Sequence, residues 1–280
     1  MRPSLFFLPL LVSSLFHCTK KVQPAATVVP PAAYVPKEWK FETTPVWGDE
    51  FATDGKPDTT KWGYDTGGHG WGNNELEYYT AGGNVSTKNG LLVIEVRKEN
   101  MSGNRYTSTR LVSKGKGDFL YGRFEARAKL PRGRGLWPAI WMLPTDWAYG
   151  GWPKSGEIDI MEQVGFDPYK VHMTVHTESY NHGKNTQKGA FQVVHTAMDS
   201  FHLYRVDWTP DHIKGYIDDV LVLTFTNERK TSNEWPFDKK FHWLLNVAVG
   251  GNWGGQQGVD DTIFPAKMEI DYVRTYKLIL

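Results

Sequence analysis

From residue 84 onward the chain is a succession of short runs rich in β-branched and aromatic residues, broken by Gly, Pro, Asn or Asp. Strands are predicted over 91–97, 121–129, 136–143, 158–163, 170–177, 201–208, 212–217, 220–225, 241–249 and 268–276. No long stretch keeps a 3.6-residue apolar period, so helices should be few. Ile217-Asp218-Asp219-Val220 predicts a tight hairpin with the two aspartates at its turn. Two packed antiparallel sheets account for this pattern, and 280 residues are enough for one such domain with no second one required.

Against that background Glu157-Ile158-Asp159-Ile160-Met161-Glu162 stands out, because three carboxylates occupy an otherwise apolar strand and no basic residue interrupts them. In a regular strand Glu157 and Asp159 share a face and Glu162 points to the other. A β-bulge at Ile160 or Met161 returns Glu162 to the face of Glu157. Two glutamates leaning inward from such positions can approach the roughly 5 to 5.5 Å separation of a retaining glycosidase, one as nucleophile and one as proton donor. Close packing disfavours the charged form of Glu162, whereas Glu157 stays ionised if it receives hydrogen bonds.

Net charge is +1, with 32 basic against 31 acidic residues, which gives no electrostatic reason to expect nucleic acid or a polyanionic substrate. Twelve tryptophans exceed what a core of this size needs, and indole faces suit the C–H surfaces of sugars. Zinc-type Cys/His spacing, phosphate-binding glycine loops and a Ser/His/Asp signature are absent from the sequence.

The start of the chain carries Arg2 and then an apolar run from Leu5 to Phe16, as in a secretory signal and too short to span a membrane. Cys18, the single cysteine, follows directly. It resembles the lipid-modified cysteine of a bacterial lipoprotein, although Phe16 and His17 depart from the small residues usual before it. Residues 1–18 are therefore expected to be a signal or lipoprotein region, 19–38 a Pro-rich spacer, and 39–280 the catalytic domain. The expected location is extracytoplasmic, with a membrane touched only through lipid on Cys18. No disulfide can form within 39–280, so stability must come from the core.

Gly156 to Glu162 matches, residue for residue, the bulged active-site signature of glycoside hydrolase family 16, and the resemblance covers roughly residues 40–280. Gly70-Trp71-Gly72-Asn73-Asn74-Glu75-Leu76-Glu77-Tyr78-Tyr79-Thr80, Gly135 to Pro144 and Ala248 to Gly255 resemble separate blocks of the family's laminarinases. The resemblance implies an all-β jelly roll, a sandwich of two antiparallel sheets with a concave substrate cleft. It also implies endo-hydrolysis of 1,3-β-glucan with Glu157 as nucleophile, Asp159 as its support and Glu162 as acid/base. Trp137 and Trp152 are then expected to be sugar-stacking platforms with Trp141 deeper. His176 should face the catalytic centre, Asn74, Glu75 and Arg110 should lie near sugar hydroxyls, and Asn246 and Trp253 should serve the non-reducing subsites. No cofactor is expected for catalysis, but a structural calcium is, held by the main-chain carbonyls of Glu50 and Gly90 and by Asp271. The expected partner is a β-glucan, with the chain acting as a monomer. Mixed-linkage 1,3-1,4-glucan is an alternative substrate; a non-catalytic sugar-binding jelly roll is opposed by the intact carboxylates. Sulfated galactans should call for a more basic cleft.

Overall fold

Alternation becomes layering in the strand Leu91–Val96, where Leu92, Ile94 and Val96 are fully buried and their neighbours half-exposed. The same rule, repeated along the chain, builds two eight-stranded sheets whose inner faces share one core. The computed structural model describes residues 37–279, so Cys18 and the segment before residue 37 lie outside the described residues.

One sheet runs Val220–Thr226, His212–Ile217, His202–Trp208, Gly122–Lys129, Ala266–Tyr276, Leu91–Val96, Val85–Lys88, with Trp47–Asp49 added on Ala266–Tyr276. The other runs Lys188–Val193, Lys170–His176, Glu157–Glu162, Leu136–Pro144, Phe241–Val249, Arg110–Val112, Gly63–Asp65, with Asp118–Phe119 added on Phe241–Val249. All pairings in both are antiparallel. This is the jelly-roll sandwich expected, and the one helical element among the described residues is the 3₁₀ turn His182–Lys184.

The predicted strands are present with end shifts of one or two residues, and 212–217 and 241–249 coincide with the observed bounds. Asp218 and Asp219 both have positive φ, +48° and +65°, as the right-handed twist of a two-residue hairpin requires. Lys188–Val193 was not predicted: with Gly189 in it and Lys188 and Gln192 on the face that turns to the core it carries a weak strand signal, and it is held at the sheet edge by pairing with Lys170–His176. Phe241–Val249 is buried at every position, because one of its faces meets the core and the other lies under the loops of the cleft.

Register in the second sheet produces one straight row. Phe191 faces His172, His172 faces Glu162, Glu162 faces Ala139, and Ala139 faces Asn246. Asn246 faces Arg110 and Arg110 faces Asp65. Directly opposed residues share a face, so this row lies across seven of the sheet's eight strands on the side away from the core.

Candidate active site

The bulge forms at Ile160. Against Leu136–Pro144, Asp159 pairs with Trp141 and Met161 with Ile140, leaving Ile160 without an opposite number. Ile158, Ile160 and Met161 are all fully buried in the core. The extra apolar residue thus anchors the strand and turns Glu162 back to the face of Glu157 and Asp159. Gly156, just before, has φ +88°, and a Cβ there would come within 2.9 Å of both Pro236 and Phe237.

Each glutamate is held by an indole. Trp152 Nε1 donates to Glu157 Oε2 at 3.0 Å, and Trp137 Nε1 donates to Glu162 Oε1 at 2.9 Å. These two tryptophans were expected as stacking platforms; the structure also makes them the hydrogen-bond donors that aim the carboxylates. His176, opposite Glu157, brings Nε2 to 3.7 Å from Glu157 Oε1 and 3.4 Å from Asp159 Oδ2. It is buried beside the carboxylates, on the neighbouring strand and the same face of the sheet.

Burial, reinforced by the charge of Asp159, pushes Glu157 and Glu162 each up to about 8, against the pull of His176 and the indole hydrogen bonds. Burial alone raises Asp159 well above the carboxylate range, and its Oδ2 has no hydrogen-bond partner. The expected separation of an ionised Glu157 from a protonated Glu162 is therefore not produced by packing, since both glutamates are raised by the same causes. Glu162 in turn raises Glu157, so the two titrate as a coupled pair and one glutamate can ionise while its neighbour keeps a proton.

Around these carboxylates lies a cavity of about 390 Å³, lined among others by Trp71, Glu75, Arg110, Trp141, Trp147, His182 and Asn246. Trp141 Nε1 donates to Asn246 Oδ1 at 2.7 Å, Asn246 Nδ2 donates to Tyr79 Oη at 3.0 Å, and Tyr79 Oη donates to Glu75 Oε2 at 3.0 Å. That chain fixes the orientation of three polar groups in the wall. Arg110 lies between Trp71 and Trp141, 4.8 and 4.7 Å from the ring centroids, with Nε 3.1 Å from Asp65 Oδ2.

Two expected contacts fall elsewhere. Asn74 does not line this cavity: its backbone is left-handed, φ +57°, and its Nδ2 donates to Asn252 Oδ1 at 2.7 Å, tying two loops together. Asn73, one residue earlier, lines the cavity in its place. Trp253 stands beside the cavity, edge-on to Trp137 at 5.5 Å and to His172 at 5.0 Å. Sequence reasoning had not selected Trp71, Tyr79, Trp147 or His182. Trp71 and Tyr79 lie in a block it had singled out, whereas His182, 4.8 Å from the Trp152 ring, has no local signal.

Asp271 lies where Ala266–Tyr276 changes partners, since Ile270 still faces Leu92, two residues after Gly90, while Val273 already faces Asp49, next to Glu50. Oxygen donors suit calcium. The Asp271 carboxylate is paired with Arg127 at 2.5 Å and that of Glu50 with Arg274 at 2.7 Å, so an ion there would take Asp271 from Arg127 and use the carbonyl of Glu50.

Residues 72–274 match the family model described as glycosyl hydrolases family 16. The chain belongs to this family. It is 55% identical over 241 residues to a beta-glucanase of Rhodothermus marinus, covering 83% of this chain and 84% of that relative. The X-ray structure of the laminarinase from Rhodothermus marinus superimposes with a TM-score of 0.84 at 51% identity, covering 87% of this chain and all of that one. The glucan endo-1,3-beta-glucosidase A1 of Niallia circulans is 38% identical over 83% of this chain, which spans 37% of that longer relative. As a family 16 hydrolase the chain needs no cofactor for catalysis.

Proposed function

We propose that this family 16 hydrolase cleaves 1,3-β-glucan internally with retention of configuration. Glu157 attacks the anomeric carbon as Glu162 gives its proton to the departing oxygen, and a covalent glycosyl ester forms. Water then attacks that carbon, Glu162 takes the water's proton, and Glu157 is released as a carboxylate. Asp159, its carboxyl raised by burial, supports Glu157 as its neighbour on the same strand face. The observation that carries the proposal is the bulge at Ile160, which puts Glu157 and Glu162 on one face, each with an indole N–H donor.

Substrate class rests on the laminarinase and endo-1,3-beta-glucosidase relatives and on the cavity's composition. Its arginine is already paired with Asp65, which favours neutral hydroxyls over sulfate. A row that runs across seven strands and leaves the cavity at the sheet edge suits internal cleavage of a long chain. We further propose, on sequence alone, that lipid on Cys18 anchors the catalytic domain outside the cytoplasm through the Pro-rich spacer.

Hydrolysis of laminarin, lichenan and agarose with linkage analysis of the products is the test. Laminarin should be cut fastest, to oligosaccharides of mixed length with the β configuration. Preference for agarose, or release of single glucose units alone, overturns the proposal.

A further inference from the structure

The row across the cleft sheet continues past the carboxylates. On one side of Glu162 stand Ala139, Asn246, Arg110 and Asp65, under the loops that enclose the cavity. On the other stand His172 and then Phe191, which is 52% exposed although it lies on a strand. Neither His172 nor Phe191 lines the cavity. A phenylalanine so exposed on an edge strand carries a solvation cost that a purely structural role does not require.

We propose that His172 and Phe191 form a sugar-binding surface on the leaving-group side of the cleft, with Phe191 as the stacking platform for a glucosyl unit beyond the one next to the scissile bond. This rests on the glucanase reading above. In a double displacement the retained sugar stays bonded to the nucleophile while the departing fragment leaves and water enters, so the enclosed half suits the former and the open half the latter. Phe191 is two strands from Glu162, about 10 Å across the sheet, which puts its ring past the first departing sugar. Its ring centroid is 5.5 Å from that of His172, and His172 is 5.0 Å from Trp253, so an aromatic surface runs unbroken from Trp137 at Glu162 to the sheet edge. Lys170 Nζ, 5.3 Å from the Phe191 ring and donating to Asp167 at 2.8 Å, keeps further N–H groups for a sugar hydroxyl at the same place.

The experiment compares Phe191→Ala and Phe191→Trp with the unmodified full chain on a long laminarin oligosaccharide and on an aryl laminaribioside, whose leaving group does not reach the sheet edge. Phe191→Ala should lower kcat/KM on the oligosaccharide roughly three- to tenfold more than on the aryl glycoside, through KM, and Phe191→Trp should restore it. Transglycosylation to added laminaribiose should fall in parallel, because the acceptor uses the same surface. Equal effects of Phe191→Ala on both substrates, or none on either, overturn the inference while leaving the glucanase reading intact. An unmodified enzyme that cleaves neither substrate overturns both.

Discussion

Trp152 donates its indole N–H to Glu157 at 3.0 Å and still leaves 39% of its own surface open at the cleft rim. One side chain thereby aims the nucleophile and offers a face to sugar, and two substitutions separate these tasks. Trp152→Phe keeps an aromatic face and loses the hydrogen bond that pulls the Glu157 carboxyl down. Its acidic limb in kcat/KM should move to higher pH. Trp152→Ala should show that shift and also lose about 10- to 100-fold in kcat/KM on laminarin oligosaccharides. Unchanged profiles in both variants would mean that the contact only packs.

Glu157→Gln should reduce turnover by at least about a thousandfold while the fold is retained. With Glu157→Ala and azide, the product should be the α-glycosyl azide, since azide then attacks from the face the nucleophile has left. Glu162→Ala with an activated substrate and azide should give the β product, because the ester still forms on Glu157. The same anomer from both variants would reverse or remove the assignment.

Stability should rise in the variant that loses activity. Glu157 and Glu162 are each raised from an ordinary carboxylate value to about 8. A carboxyl raised in the folded state binds its proton more tightly there than when unfolded, so its contribution is complete below the unfolded value and is lost as pH rises to about 8. Glu157→Gln keeps a neutral group at every pH. Its Tm should exceed that of the parent by about 3 °C or more at pH 8 and by little at pH 4. Equal Tm differences at both pH values, followed by calorimetry, would exclude the linkage.

Calcium should raise the Tm of the parent chain, and Asp271→Asn should remove most of that increase, because the ion needs the carboxylate that Arg127 otherwise holds. Arg127→Gln should strengthen calcium binding in a titration by removing the competitor. Insensitivity of all three proteins to calcium and to chelator would dismiss the ion.

Expressed with residues 1–36 included in a bacterium that processes lipoproteins, the protein should begin at Cys18, carry acyl chains in its intact mass and sediment with membranes. A free thiol at Cys18, or cleavage after it, contradicts the anchor.

Much of this molecule is legible in one dimension because its information is local. Alternating burial in Leu91–Val96 and the two aspartates of the 217–220 hairpin specify their own geometry. The run from Glu157 to Glu162 likewise announces itself, since three acids among buried apolar residues require both a bulge and a chemical task. The sequence could not choose between Ile160 and Met161 for that bulge. Pairing with Leu136–Pro144 made the choice, because Met161 has Ile140 opposite it and Ile160 has nothing.

Contacts between distant segments were decided only by folding. Tyr79 meets Asn246 across 167 residues, and Asn74 turns away from the cavity to reach Asn252 across 178. Neither is a property of its own neighbourhood. The protonation of Glu157 and Glu162 depends on how much water the folded chain removes from them, and His182 reaches Trp152 from a short 3₁₀ turn with no period to read. Residue type and spacing thus determined which groups were available and which way their strands would face. Sheet register, set by the simultaneous burial of many side chains, decided which of them came to stand in one row across the cleft.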